Sequence, residues 1–156
     1  MDRVWKTALV VLSDKAASGE RADACLPLMR EGLPAGFSVT TESVLPDERR
    51  ALEDLLRRLC DADQVDVILT SGGTGLARRD ITPEATHAIA HYSVPGIGEA
   101  MRQASLPHVP TAMLSRAVAV VRGTTLIINL PGNPKAVVET LAVVAPVLGH
   151  ACELLH

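Results

Sequence analysis

Two short apolar runs set the strongest limit on what this chain can fold into. Ala8-Leu9-Val10-Val11-Leu12 and Val65-Asp66-Val67-Ile68-Leu69-Thr70 are mostly apolar and are bounded by turn-forming residues, Ser13-Asp14 after the first and Ser71-Gly72-Gly73 after the second. A strand that is apolar on both faces needs cover on both faces, as in a parallel sheet with helices above and below it. Val39 to Leu45 is more polar and reads as an edge strand. Behind it, Leu52, Leu55, Leu56 and Leu59 recur at i, i+3, i+4 and i+7, placing one apolar stripe on a helix from Glu48 to Cys60. Strand, helix and strand thus follow in order.

Thr82-Pro83-Glu84 offers a hydroxyl N-cap with proline at the first helical position, so a helix is expected from there towards Ala90. Asn133-Pro134-Lys135 repeats the signal. The helix it opens carries Val137, Val138, Leu141, Val144, Leu148, Cys152 and Leu155 near a 3.6-residue period, with a kink expected at Pro146. Val118 to Val121 and Thr125 to Leu130 flank Arg122-Gly123-Thr124 and read as a β-hairpin, which makes the sheet mixed. The expected fold is α/β: a three-layer α/β/α sandwich, its sheet mostly parallel with an antiparallel hairpin strand. No repeat, linker or low-complexity segment divides the chain, and residues 1–156 read as a single domain.

Composition removes several functions. With Lys+Arg 15 against Asp+Glu 18, the net charge of -3 gives no electrostatic footprint for duplex nucleic acid. The only aromatic residues are Trp5, Phe37 and Tyr92, so the stacking platforms of single-strand binders are missing and the core must be aliphatic. The apolar run Ala8–Leu12 is too short for a signal-peptide core, and the longest apolar stretch, Leu141 to Gly149, contains Pro146 and falls short of a membrane span. Cys25, Cys60 and Cys152 form no Cys-x-x-Cys pair and read as small buried hydrophobes in a reducing compartment, so a cytoplasmic location is expected.

Sheets of this kind bind ligands beyond the carboxyl ends of their strands, where the sequence places Ser13-Asp14, Pro46-Asp47, Ser71 to Gly75 and Pro131-Gly132-Asn133. Gly72-Gly73-Thr74-Gly75 can turn several backbone N–H groups round an anion, because glycine reaches positive φ and lets a phosphate approach without a Cβ clash. An ordinary tight turn fits these glycines equally well. The loop has neither the Gly-Lys-Ser/Thr of a Walker A motif nor a Gly-x-Gly-x-x-Gly fingerprint. Lys135, in the first turn of a helix, opposes the helix dipole unless an anion sits there, although a solvated surface lysine explains it as well. Arg78 and Arg79 add positive charge beside the glycines. Asp47 and Asp80 offer oxygen ligands for a magnesium ion bridging substrate phosphates; capping the next helix and bracing the Arg78-Arg79 turn are their structural alternatives. His87 and His91 stand four apart on one helix but lack a His-Glu-x-x-His pattern, and Ser115 lies outside any nucleophile elbow and reads as a polar contact or turn residue.

Taken together, the segment from Thr70-Ser71-Gly72-Gly73-Thr74-Gly75 through Arg78-Arg79-Asp80-Ile81-Thr82-Pro83-Glu84-Ala85-Thr86 resembles the signature of the molybdopterin adenylyltransferases of molybdenum cofactor biosynthesis. The likeness extends to Ser13-Asp14-Lys15-Ala16-Ala17-Ser18-Gly19, Leu45-Pro46-Asp47-Glu48, Pro95-Gly96-Ile97-Gly98-Glu99, Ala112-Met113-Leu114-Ser115-Arg116 and Ile128-Asn129-Leu130-Pro131-Gly132-Asn133-Pro134-Lys135-Ala136, nearly the whole chain. It implies an enzyme that transfers AMP from ATP to the terminal phosphate of molybdopterin, with magnesium assisting and pyrophosphate released. A molybdate-inserting partner then receives the product.

The same resemblance implies that Asp47 and Asp80 are the acidic residues tied to catalysis and magnesium. It makes Ser71, Gly72, Gly73, Thr74 and Gly75 the phosphate-binding turn. Ser13, Asp14, Ser115, Gly132, Asn133, Pro134 and Lys135 then line the substrate pocket. It further implies a homotrimer, in some members a hexamer; in stopping soon after its last expected helix, the sequence departs from some longer bacterial members, which carry an additional C-terminal segment. Two other functions stay open from sequence: a non-catalytic molybdopterin carrier or regulator, which would not need two carboxylates at a phosphate site, and a related pterin or nucleotide domain with another substrate.

Overall fold

The computed structural model describes residues 3–156. In chain order its elements are β1 Trp5–Leu12, α1 Asp14–Ala17, α2 Cys25–Gly32, β2 Phe37–Leu45, α3 Arg49–Asp61, β3 Val67–Ser71, α4 Thr82–Ile89, β4 Tyr92–Ser93, α5 Pro95–Ser105, a 3-10 helix Pro110–Leu114, β5 Ala119–Arg122, β6 Thr125–Leu130 and α6 Pro134–Leu155. The strands form one sheet in the order β2-β1-β3-β6-β5-β4. β2, β1, β3 and β6 run parallel to one another, and β5 is antiparallel to both β6 and β4. The expected mixed α/β sheet with an antiparallel hairpin strand is therefore present, and β2 is one of its two edges, β4 the other.

The apolar runs are continuous because both faces of the sheet are covered. Leu9 and Val11 of β1, Val67 and Leu69 of β3, and Ile128 and Leu130 of β6 pack on one side against Met29 of α2, Met101 of α5, and Val137, Leu141, Val144, Leu148 and Cys152 of α6. Their alternate neighbours Ala8, Val10, Ile68 and Ile127 pack on the other side against Leu52, Leu56 and Leu59 of α3 and Ala85 and Ile89 of α4. Each fully buried leucine or isoleucine contributes about 1.5–3 kcal/mol relative to its exposed state. Helix α6, at 22 residues, is long and apolar enough to cross a membrane, but its inward stripe is the core of this layer.

Several sequence expectations need correction. Thr82 does not cap α4: Ile81 holds the cap position without a side-chain bond, and the Thr82 hydroxyl instead donates to the Gly72 carbonyl at 2.9 Å. Asp47 does not cap α3 either, since Glu48 precedes that helix and makes no side-chain cap. By contrast, Asn133 Oδ1 accepts from the amides of Lys135 and Ala136, as a helix cap does. Helix α6 runs on through Pro146 as one element.

The chain passes from β1 to the edge strand β2 on one side and then to β3 on the other. The crevice at the carboxyl ends of β1 and β3 is therefore the topological switch point, where open α/β sheets hold their ligands.

Candidate functional site

The loops after β1, β2, β3 and β6 meet at this crevice. Gly72 and Gly73 both have positive φ, +99° and +69°. A Cβ on Gly72 would collide with the Leu12 carbonyl oxygen, and one on Gly73 with Thr82 Oγ1, while lying 3.3 Å from Asp47 Oδ1. Only glycine fits at either position. Gly132 completes the packing, where a Cβ would lie 3.2 Å from the Gly72 Cα. The loop turns back on itself through Thr82 N–H donating to the Gly73 carbonyl (3.1 Å) and Gly72 N–H donating to Leu130 (3.1 Å). Beyond Gly72, the amides of Gly73, Thr74, Gly75 and Leu76 donate to no protein acceptor among the described residues. Four consecutive unpaired donors on a glycine-rich turn form an anion cradle.

Carboxylates line its other side. The Asp14 amide donates to Asp47 Oδ2 (3.2 Å), the Asp47 amide donates to Asp14 Oδ1 (3.0 Å), and Arg79 holds both Asp14 oxygens at 2.6 and 2.9 Å. Asp47 Oδ1 is buried and has no partner among the described residues. Burial pushes the Asp47 carboxyl above the ordinary range; the Asp14 amide opposes that shift, and the charges of Asp14 and Asp80 add to it. The Arg79 guanidinium and, secondarily, the Asp47 amide hold Asp14 below the ordinary range. Asp80 Oδ2 accepts from the Ala77 amide at 2.9 Å, so this aspartate does brace the Arg78-Arg79 turn. It also faces the same cavity as Asp47.

The crevice is two adjoining cavities. One, about 450 Å³, is lined by Ser13, Asp47, Ser71, Gly72, Gly73, Asp80, Gly132, Asn133 and Pro134, with Arg21, Asp23 and Cys25 closing one side. The other, about 540 Å³ and mostly apolar, is lined by Thr74, Gly75, Leu76, Met101, Val109, Leu114, Ser115, Asn133 and Lys135 among others. Volumes of this order hold small-molecule ligands. The glycine turn divides them, with Gly72 and Gly73 on one side and Thr74 and Gly75 on the other, and Asn133 borders both. Of the candidates named from sequence, Ser13, Asp47, Ser71 to Gly75, Asp80, Ser115 and Gly132 to Lys135 line one or other cavity, whereas Asp14, Arg78, Arg79, His87 and His91 line neither.

Not all of them present a functional atom there. Ser71 is buried and its hydroxyl donates to the Pro131 carbonyl at 2.7 Å, tying two loops together. Ser13 Oγ caps α1 by accepting from Ala16. Ser115 Oγ accepts from the Ala117 amide. Lys135 is largely exposed, its Nζ 3.9 Å from Glu139. His91 Nδ1 accepts from the Gly123 amide and so serves the β5–β6 turn. The buried cysteines are unpaired thiols, those of Cys60 and Cys152 pushed up to about 11 by burial. Sequence reasoning did not single out Arg116, Glu84, Arg21 or Asp23. Arg116 closes the Ala112–Arg116 segment, yet its side-chain partners, two backbone carbonyls and the Glu84 carboxylate, lie far away in sequence.

Comparison with known proteins places the chain in a family. Residues 8–150 match a family described as a probable molybdopterin binding domain. The chain is 47% identical over 139 residues to the molybdopterin adenylyltransferase of Escherichia coli K12, covering 87% of this chain and 71% of that protein. It is 42% identical to the enzyme of the same name from Helicobacter pylori 26695, covering 92% of this chain and 83% of that one. Among solved structures, the molybdopterin biosynthesis enzyme MoaB of Thermus thermophilus superposes with a TM-score of 0.92 at 46% identity, over 97% of this chain and 96% of that one. The tungsten cofactor synthesizing protein MoaB of Pyrococcus furiosus superposes at 0.86 with 30% identity, over 99% of each chain.

Proposed function

The chain belongs to the molybdopterin binding domain family, and from that membership we propose that it is a molybdopterin adenylyltransferase working as one domain. It transfers AMP from ATP to the terminal phosphate of molybdopterin in molybdenum cofactor biosynthesis. An oxygen of that phosphate attacks the α-phosphorus of ATP, the bond from the α-phosphorus to the bridging oxygen breaks, and pyrophosphate leaves with the electron pair.

The observation that carries this proposal is the row of unpaired amides from Gly73 to Leu76, set within one crevice with the bare Oδ1 of Asp47. Nucleotidyl transfer needs alignment and charge neutralisation rather than a protein nucleophile. The loop amides supply fixed donors for phosphoryl oxygens and need no reorganisation as charge develops. The larger, mostly apolar cavity beside them takes a heterocycle, and the cradle between the cavities takes the phosphates.

The acidic residues also fit magnesium. Asp47 Oδ1 is an oxygen ligand without a partner, and Asp80 faces the same cavity with one oxygen committed to Ala77. Asp47 and Asp80 would hold the ion, which when bound offsets the negative charge of the phosphates. Magnesium characteristically takes one or two carboxylates and completes its shell with water and phosphate oxygens. Among the described residues no cluster of three or more His, Cys, Asp or Glu forms a closed metal cage.

The adenylylated product passes to a molybdate-inserting partner in the cytoplasm. The working assembly is a homotrimer, with a hexamer as its larger form. Protein mixed with molybdopterin, ATP and magnesium should release pyrophosphate and give adenylyl-molybdopterin by mass spectrometry. Tight molybdopterin binding without product would instead make the protein a carrier, and pyrophosphate release without molybdopterin would mean another substrate.

A further inference from the structure

Arg116 lines neither cavity, yet it makes more hydrogen bonds to the glycine loop than any residue that does. Its amide donates to the Thr74 carbonyl at 2.8 Å, its Nε to the Gly75 carbonyl at 2.8 Å, and its Nη2 to the Asp80 carbonyl at 2.8 Å. Nη1 is anchored on Glu84 Oε1 at 2.6 Å, on the first turn of α4. One side chain therefore joins both arms of the loop and fastens them to the helix that follows.

A trans peptide sets each carbonyl antiparallel to the next residue's N–H. The carbonyls of Thr74 and Gly75 point at Arg116, so the amides of Gly75 and Leu76 point the opposite way. Thr74, Gly75 and Leu76 line the cavity that Arg116 does not reach. We infer that Arg116 is a positioning residue for phosphate binding, which by holding the carbonyls of Thr74, Gly75 and Asp80 from behind keeps the amides of Gly75 and Leu76 turned towards the ligand and Asp80 in register. This inference rests on the phosphate cradle proposed above.

The work requires arginine. A guanidinium sends donors in several fixed in-plane directions and here reaches three separate acceptors, whereas a lysine ammonium is a point charge that cannot span them. Glu84 sets the direction of the fork.

Pyrophosphate is the probe, with binding measured by calorimetry and the loop amides followed by ¹⁵N NMR. In the unaltered protein, pyrophosphate should shift the Gly73 to Leu76 resonances. Arg116→Lys keeps the charge and loses the fork, so its Kd should rise at least about tenfold, as loss of oriented donors does, while the amide spectrum of the sheet stays superimposable. Glu84→Leu, which leaves Nη1 without its acceptor, should weaken binding at least about threefold, and Glu84→Gln, which keeps an acceptor, should restore it. If Arg116→Lys fails to fold, the Glu84 pair carries the test. Wild-type affinity in folded Arg116→Lys, or no difference between the two Glu84 variants, would overturn the positioning role alone. No pyrophosphate binding by the unaltered protein would overturn the phosphate cradle and the positioning role together.

Discussion

Asp14 and Asp47 hold each other by reciprocal backbone-to-carboxylate hydrogen bonds, Asp14 N–H to Asp47 Oδ2 at 3.2 Å and Asp47 N–H to Asp14 Oδ1 at 3.0 Å. The exchange locks the loops after β1 and β2 to one another and aims the second oxygen of Asp47 into a buried position with no partner. An unpaired buried carboxylate oxygen costs stability and is retained where a ligand uses it.

That cost has a measurable sign. The folded pKa of Asp47 is raised, chiefly by burial, so its contribution favours the fold below the unfolded pKa and is lost as pH rises through the folded value. Its ionised form therefore destabilises the protein at neutral pH. Asp47→Asn should leave Tm at pH 7 unchanged or about 2 °C higher by calorimetry, while AMP transfer falls at least about a hundredfold. Asp47 must also be ionised to hold a cation, so kcat/KM should fall on acidification at a pH above the 3.8 of an ordinary aspartate.

Arg79 controls the other half of the exchange. Its guanidinium is the main cause of the depressed Asp14 pKa. The stability from Asp14 is present above its unfolded pKa and lost as pH falls through the folded value. In Arg79→Gln, carbon NMR of the carboxylates should show Asp14 titrating at a higher pH. Tm at pH 7 should move by less than about 2 °C, because both partners are well exposed and such pairs contribute little.

Gly73→Ala should be severe. The position has φ +69°, and an added methyl meets the Thr82 hydroxyl and approaches Asp47 Oδ1. Denaturant unfolding should show a loss of about 2 kcal/mol, with transfer activity gone in the protein that remains folded.

Asn129 tests the support beneath the site. Fully buried on β6, it donates from Nδ2 to the hydroxyls of Thr70 and Thr86 and accepts from the Val118 amide. Asn129→Leu leaves those partners unmatched and should cost about 3 kcal/mol in urea unfolding.

The convergence at the crevice was legible in the sequence because it follows from chain direction. Once Ala8–Leu12, Val65–Thr70 and Thr125–Leu130 read as neighbouring strands, Ser13, Gly72 and Gly132 must emerge at one end. Helices α2 and α5 were not legible: α2 carries Pro27 and buries only Cys25 and Met29, and α5 opens Pro-Gly-Ile-Gly and buries only Gly98 and Met101, so neither shows a full apolar stripe. The two-residue strand β4 is too short for any period. Thr82 carries a cap signature, but its hydroxyl has a stronger use once the loop folds back on Gly72. The part played by Arg116 is invisible in sequence, because its acceptors on Gly75 and Asp80 are backbone carbonyls 41 and 36 residues away.

The most direct test of the account is AMP transfer to molybdopterin by the unaltered protein and by Asp80→Asn, followed by mass spectrometry with magnesium present and omitted. The substituted carboxamide keeps an acceptor for the Ala77 amide, so the loop should hold its shape and the melting curve should not change. The account predicts magnesium-dependent adenylyl-molybdopterin from the unaltered protein and none above background from folded Asp80→Asn; near-normal product from folded Asp80→Asn would contradict it.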